Sequence, residues 1–220
     1  MKIHITETQL NIIKKDIDEE YPPTWNIDEF KKLKSFNQRI QYCERNLQRI
    51  SSGTSRIVYK IDDTKVLKLA KNNKGLAQNE IEVGFSEDYM WDGIVAQIFD
   101  YDQNNLWVEM ELARKVTPKK FFEIIGFFFE NYCNAILFHE ENQKPKTKYS
   151  ISRSKPNNYD QMWDNNEFMY NIFNVIGSYD FPAGDLCKLN SYGLVNRNGI
   201  DEIVLIDYGL TNDVYDSYYK

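Results

Sequence analysis

The sequence is short of the residues that mark secreted, zinc-bound or membrane-spanning chains. Among its 220 residues are three cysteines, Cys43, Cys133 and Cys187, an odd and scattered set, and only two histidines. These numbers exclude a disulfide framework and a paired Cys/His zinc site, and they fit a reducing, cytoplasmic compartment. Long apolar runs are also missing. The most apolar stretch, Phe121 to Phe129, is too short to span a bilayer and is interrupted by Glu123. The opening MKIHITETQL has no apolar signal segment. An excess of positive charge is absent as well: the net charge of −6 argues against a general nucleic-acid surface and leaves room only for a local basic patch. No internal repeat or low-complexity tract interrupts the chain. Its length suits one domain, or a small two-lobed one, with ample apolar material for a core.

What the chain does contain is concentrated between Gly184 and Leu210, GDLCKLNSYGLVNRNGIDEIVLIDYGL. A loop carrying Asp185 and Asn190 leads into a hairpin whose second strand, the apolar run Ile203 to Ile206, ends at Asp207 and is broken by Tyr208 and Gly209. Two carboxylates and an amide brought together at the mouth of a buried strand are hard oxygen donors, suited to Mg²⁺ held jointly with substrate phosphates. The plainer alternative is an Asp-capped hairpin with an Asn turn.

From the N-terminus, Thr6 or Thr8 caps a first helix with Leu10, Ile13 and Ile17 at helical spacing, ending near Tyr21 before Pro22 and Pro23. Asn26 and Glu29 form an Asn version of the capping box, with Trp25 and Phe30 at the staple positions. Beyond them Phe30, Leu33, Phe36, Ile40, Cys43, Leu47 and Ile50 make one apolar helical stripe, either a brace on the following domain or a partner-binding or oligomerising helix. The texture then changes to two strands turning at Asp62 and Asp63, preceded by a loop at Gly53, Thr54 and Ser55. Small residues there allow backbone N–H groups to approach phosphate, although an ordinary turn has the same composition. Arg56 either reaches phosphate or lies on the surface. Lys68 interrupts the apolar strand Val66 to Ala70, either as a phosphate-pairing cation or as an outward strand lysine. A helix from about Gly75 to Phe85 follows, with Ala77 and Ile81 on its core side and Gln78 and Glu82 together on the adjacent face.

Ile94 to Tyr101 and Leu106 to Leu112 read as two more strands, joined by the turn DQNN and completing a five-stranded antiparallel lobe. Thr117 caps and Pro118 begins a helix bent near Gly126, with its aromatics in the core. His139 reads as a helix-end or surface residue rather than a ligand. The stretch 144–158, KPKTKYSISRSKPNN, is the most basic and polar, and is expected to be an exposed loop or a contact for an anionic substrate or partner. Glu167 to Tyr179 is a helix burying Phe168, Ile172, Val175 and Ile176, ended by Phe181 and Pro182.

In order, the Gly53 loop, Lys68, a helical Glu, D-L-x-x-x-N from Asp185 to Asn190, and Asp207-Tyr208-Gly209 resemble the protein kinase-like superfamily across about Ser51 to Thr211. Gly184 before Asp185 resembles the HGD form of small-molecule and phage-encoded kinase-like proteins, although Ala183 stands where that form has His. The resemblance implies an α+β, two-lobed fold: a five-stranded antiparallel N-lobe (51–115), a reduced helical C-lobe (116–220) and an N-terminal helical extension (1–50). It implies ATP and Mg²⁺ as cofactors. Lys68, oriented by Glu82 or, second, Glu80, would hold phosphates under the Gly53-Thr54-Ser55 loop. Backbone groups from Glu109 to Glu111 would meet the adenine edge, Asn190 and Asp207 would hold metal, and Asp185 would orient the accepting hydroxyl.

Two departures matter. A single Gly replaces the G-x-G-x-x-G loop, and only eleven residues follow Gly209, where kinases continue into a peptide-seating segment and further helices. The acceptor platform would then come from the N-terminal helices, the 144–158 loop or a partner. An inactive kinase-like protein with an interaction or phage structural role is the competing expectation. An unrelated α+β binding protein is a third, in which Lys68, Asp185 and Asp207 would not converge.

Overall fold

The computed structural model describes residues 24–88, 91, 93–143, 153–179 and 181–220. The expected first helix, ending near Tyr21, and the 144–152 part of the basic stretch lie outside them. Among the described residues the fold is α+β and two-lobed, with a five-stranded antiparallel sheet in one lobe and helices around a three-stranded sheet in the other.

The sheet begins beneath two short helices, α1 (Ile27–Lys31) and α2 (Phe36–Asn46). Asn26 caps α1 by accepting from the Glu29 N–H, as its sequence predicts. The single long stripe expected as far as Ile50 is instead two helices, because Ser35 and Gln38 form a complete capping box that starts a new one. The stripe also ends early. Gln48–Ser52 is strand β1, fully exposed along its length and bulged between Arg49 and Ser51, and it supplies the fifth strand at one edge of the sheet.

β2 (Arg56–Lys60) and β3 (Lys65–Ala70) form the expected hairpin, followed by α3 (Asn73–Ser86), β4 (Ile98–Tyr101) and β5 (Trp107–Glu111) in the order β1-β2-β3-β5-β4. The strand expected from Ile94 is shorter because its first residues pair elsewhere: Ala96 N–H donates to Leu205 O at 2.8 Å and Leu205 N–H to Ile94 O at 2.7 Å. Strand alternation gives the sheet two unlike faces. Ile57, Tyr59, Leu67, Leu69 and Trp107 pack with Trp25, Phe30 and Cys43 of the N-terminal segment. Val66, Val108 and Met110 turn the other way, into the large core shared with the second lobe.

β6 (Arg114–Lys115) leads into the second lobe. Thr117 caps α4 (Pro118–Ile125), Gly126 ends it in the left-handed region at φ 85°, and α5 (Phe129–Gln143) leaves at 69° to it. α6 (Tyr159–Asn165) and α7 (Glu167–Tyr179) follow, with Ile172, Val175 and Ile176 buried as expected and Phe168 partly so. His139 is neither at the surface nor at a helix end. It is buried, its Nδ1 is 2.6 Å from the Tyr159 hydroxyl, and its ring stacks 4.7 Å from Phe173; burial lowers its pKa below the ordinary value. Beyond them, α8 (Ala183–Leu186) and a 3₁₀ turn (Leu189–Ser191) precede the hairpin of β7 (Tyr192–Arg197) and β8 (Ile200–Leu205). That hairpin turns on Asn198 and Gly199, both at positive φ. The short helix α9 (Asn212–Tyr218), capped by Thr211, closes the described chain against α3.

Candidate active site

A cleft of about 560 Å³ opens between the sheet and the second lobe, in the range of small-molecule sites. Lys68 projects into it from β3. The residue shares its face with Val58, opposite it on β2, and with Val108 on β5, so alternation alone aims it inward. Its ammonium is buried and lies 2.8 and 2.9 Å from the two oxygens of Glu82, and it also donates to the Ile206 carbonyl. Burial lowers the pKa of Lys68 and Arg56 adds repulsion, against the attraction of Glu82 and Asp207. Glu80 is exposed, which settles the choice between the two glutamates in favour of Glu82.

α3 positions Glu82 in a manner the sequence pattern concealed. Ala77 and Ile81, expected on the core side, are only partly buried, whereas Gln78, Asn79 and Glu82 are buried. This inverted amphipathicity is satisfied partner by partner. Ser55 Oγ donates to Gln78 Oε1 at 2.7 Å, Asn79 donates to Asn105 O at 2.8 Å, and Gln78 donates to the Tyr219 hydroxyl at 3.2 Å. Backbone contact is close at two glycines. A Cβ on Gly75 would lie 2.3 Å from Ser55 O, and one on Gly209 would lie 2.4 Å from Gln78 O. Tyr208, just before Gly209, is fully buried against Phe85 and Trp91, and its N–H reaches Glu82 Oε1 at 3.4 Å.

Arg56 is the residue whose importance the sequence did not reveal. It is neither at the surface nor free in the cleft. It is buried, with Nη1 2.8 Å from Glu82 Oε2 and 3.3 Å from Asn79 Oδ1, and Nη2 2.6 Å from Asp207 Oδ1. Burial opposes its charge, but Glu82 and Asp207 outweigh that penalty and raise its pKa. The only sequence signal was a charged residue at the first position of a strand whose next two residues are apolar.

Gly53, Thr54 and Ser55, the loop expected to cover phosphates, line the cleft. The glycine is not required by crowding: a Cβ there would meet nothing nearer than Arg56 O at 3.9 Å, and its N–H already donates to that carbonyl at 2.9 Å. Lys71 and Asn72, just before α3, hold the loop through the carbonyls of Gly53 and Thr54.

Of the segment expected to face adenine, Met110 and Glu111 line the cleft and Glu109 does not. Glu109 is buried on the opposite face of the sheet, where it pairs with Lys65 at 3.3 Å, because it alternates with Met110 along β5. Glu111 does line the cleft, followed by Leu112 and Ala113. The Glu111 and Leu112 N–H groups are already taken by Gln97 O and Thr64 O.

The second lobe contributes Asp185, Asn190 and Asp207, all at the cleft. Asp185 stands in α8 with its carboxylate bonded to Lys188, while its carbonyl accepts from Ser191 Oγ at 3.0 Å. That bond and the proximity of Asp207 raise the Lys188 pKa. Ala183, where HGD-type loops have His, is fully buried. Among the described residues no group of three or more His, Cys, Asp or Glu side chains forms a metal cage. Asp207 and Asn190 offer two hard oxygens, a donor set that fits Mg²⁺ completed by waters and phosphates and does not fit zinc.

Lys68, Glu82, Asp185, Asn190 and Asp207 therefore share one site. No family model matches the sequence, and no curated protein matches it significantly. Among solved structures, the chain is similar to the streptomycin-ATP-APH(2'')-IIa ternary complex, with 13% identity over 94% of this chain and 72% of that one and a TM-score of 0.35. It is also similar to the ADP-bound aminoglycoside phosphotransferase APH(2'')-Ib, at 16% identity over 79% and 69% with a TM-score of 0.32. The gentamicin-APH(2'')-IIa complex gives 14% identity over 94% and 71%, with a TM-score of 0.33.

Proposed function

We propose that the chain is an ATP- and Mg²⁺-dependent phosphotransferase of the protein kinase-like superfamily, acting on a hydroxyl acceptor. The observation that carries this reading is the Lys68 ammonium held between both oxygens of a fully buried Glu82, facing a cleft that Asp185, Asn190 and Asp207 also line. A buried lysine fixed by a carboxylate is a preorganised hydrogen-bond donor to phosphate: its orientation is established before substrate arrives. The Gly53-Thr54-Ser55 loop would cover the phosphates, and Val58, Val66 and Met110 give the cleft the apolar wall that a nucleobase requires.

Asn190 and Asp207 are the residues that would hold Mg²⁺, which when bound neutralises charge developing on the transferred phosphoryl group. Asp185 would orient the acceptor hydroxyl and take its proton, after yielding its bond to Lys188. Lys188 would then face the departing or incoming phosphate charge. Little covalent help is required of the protein, since positioning and electrostatics supply most of the barrier reduction in this chemistry.

A nucleotide-binding protein without transfer activity is the second reading. The favouring observation is that the two cleft aspartates are already engaged by cations, Asp185 by Lys188 and Asp207 by Arg56. Incubation with γ-labelled ATP and Mg²⁺, with and without cell lysate, separates the two. Transfer that disappears in Asp185→Ala and Asp207→Ala establishes the enzyme. Binding without transfer selects the second reading, and failure to bind removes both.

A further inference from the structure

Arg56 has an arrangement that the proposed phosphotransfer does not call for. Three polar groups from two elements converge on one guanidinium: Glu82 and Asn79 from α3, and Asp207 from the turn after β8. The guanidinium side chain is 8% exposed and the Asp207 side chain 65% exposed, so the carboxylate remains open to solvent on its far side while one oxygen is capped from within. The planar fork suits this task, because Nη1 is fixed by Glu82 and Asn79 and Nη2 is thereby aimed at Asp207 Oδ1. The stem cannot swing away easily. β2 holds its backbone, with Arg56 opposite Ala70 of β3. Lys68 and Lys188 also lie within electrostatic reach of Asp207, but neither bonds to it.

We propose that Arg56 is a built-in counter-cation for Asp207, which competes with a divalent metal for that carboxylate and keeps the metal site weak until nucleotide phosphates arrive. This rests on Asp207 being a metal ligand in the function proposed above, and it assigns the regulation of that site. With no phosphate in the cleft, a divalent cation must share Asp207 with a fixed positive charge. Like charges that close repel strongly in a partly desolvated site. When a triphosphate enters, its oxygens supply new acceptors for Nη2, Asp207 Oδ1 becomes available, and metal and nucleotide bind together. Metal binding is thereby conditional on nucleotide, and neither the metal alone nor a stray divalent ion occupies the site at ordinary concentrations.

The test reads metal affinity without nucleotide and without turnover. Mn²⁺ alone is titrated into the full chain, and the free-ion signal is followed by electron paramagnetic resonance, for wild type, Arg56→Gln, Arg56→Lys and the double variant Arg56→Gln/Asp207→Asn. Arg56→Gln removes the competing charge, and Mn²⁺ affinity should rise by on the order of tenfold. The gain should vanish in the double variant. An affinity that stays the same or falls in Arg56→Gln, or a gain that survives in the double variant, overturns the proposal. Thermal melting establishes which variants are folded. Should Arg56→Gln not fold, Arg56→Lys decides: a shorter side chain with its charge on one atom cannot span Glu82 and Asp207 as the two arms of the guanidinium do, so Mn²⁺ should bind several-fold more tightly, and an unchanged affinity is contrary to the proposal. A protein that behaves this way yet transfers no phosphate retains Arg56 as counter-cation and loses the enzymatic reading. A protein that transfers phosphate while Arg56→Gln leaves Mn²⁺ affinity unaltered does the reverse.

Discussion

The two faces of the five-stranded sheet are made by the same strands, one residue apart, and they differ in what stabilises them. Toward the N-terminal helices the face is aromatic and aliphatic: Tyr59, Leu67, Leu69 and Trp107 close over Trp25 and Phe30. Toward the cleft, Lys68 and Arg56 meet Glu82, two buried cations on one buried carboxylate. The first face loses little if one side chain is exchanged for another of similar volume. The second depends on each partner, because removing one group leaves charges buried without compensation. The difference teaches where the chain has bound its stability to its chemistry: the outer face holds the sheet together and the inner face holds the site together.

The largest effect is expected from removing the shared partner. Glu82→Ala should lower stability by about 3–5 kcal/mol, since Lys68 and Arg56 would remain buried without their carboxylate. Glu80→Ala, one turn face away and exposed, should stay within about 0.5 kcal/mol. Denaturant melts of the two variants give the contrast directly. On the outer face, Leu67→Ala should cost about 2–5 kcal/mol through the cavity it leaves, yet leave nucleotide affinity unchanged at temperatures where the protein is folded. A Leu67→Ala variant with impaired nucleotide binding would erase the separation of the two faces.

Smaller in size but sharper in location is Gly209→Ala, which should cost about 1–3 kcal/mol because its Cβ would press on the Gln78 carbonyl of α3. Should melting show no loss, the close seating of the Tyr208-Gly209 turn on α3 is wrong. The smallest effect is a pH dependence far from the cleft. His139 is buried with its pKa lowered from the ordinary 6.5, so the unfolded chain takes up the proton more readily than the folded one. Its contribution is therefore present above about 6.5 and lost as pH falls through the lower folded value. The melting temperature should decline between pH 7 and 5 with a slope that is reduced in His139→Phe, and an identical slope in the variant would contradict the buried neutral imidazole.

Much of this was legible in the chain because local pattern and long-range partner agreed. Lys68 stood alone in an apolar strand, a helix with two glutamates followed it, and Asp185, Asn190 and Asp207 flanked a hairpin whose Asn198-Gly199 turn has the backbone such a turn needs. What was illegible depended on partners distant in sequence or on an edge. β1 has no buried residue and continues the spacing of a helical stripe, so it offered no alternation to read. Arg56 is buried only because Asp207, 151 residues away, and Glu82 receive it. α3 buries polar residues, which periodicity assigns to solvent until Ser55, Asn105 and Tyr219 are in place. Glu109 and Glu111, two residues apart, share one face by strand alternation, and only the end of β5 at Glu111 separates them, so the pattern could not show that Glu111 reaches the cleft and Glu109 does not.

The central claim is that the cleft is a nucleotide site organised by Lys68. Calorimetric titration of Mg²⁺ and ATP into wild type and into Lys68→Met tests it most directly. One nucleotide should bind per chain, and Lys68→Met should weaken binding by on the order of ten- to a hundredfold, the loss of a charge-assisted hydrogen bond. Absence of binding to the folded wild type, or an equal affinity in a folded Lys68→Met, would contradict it.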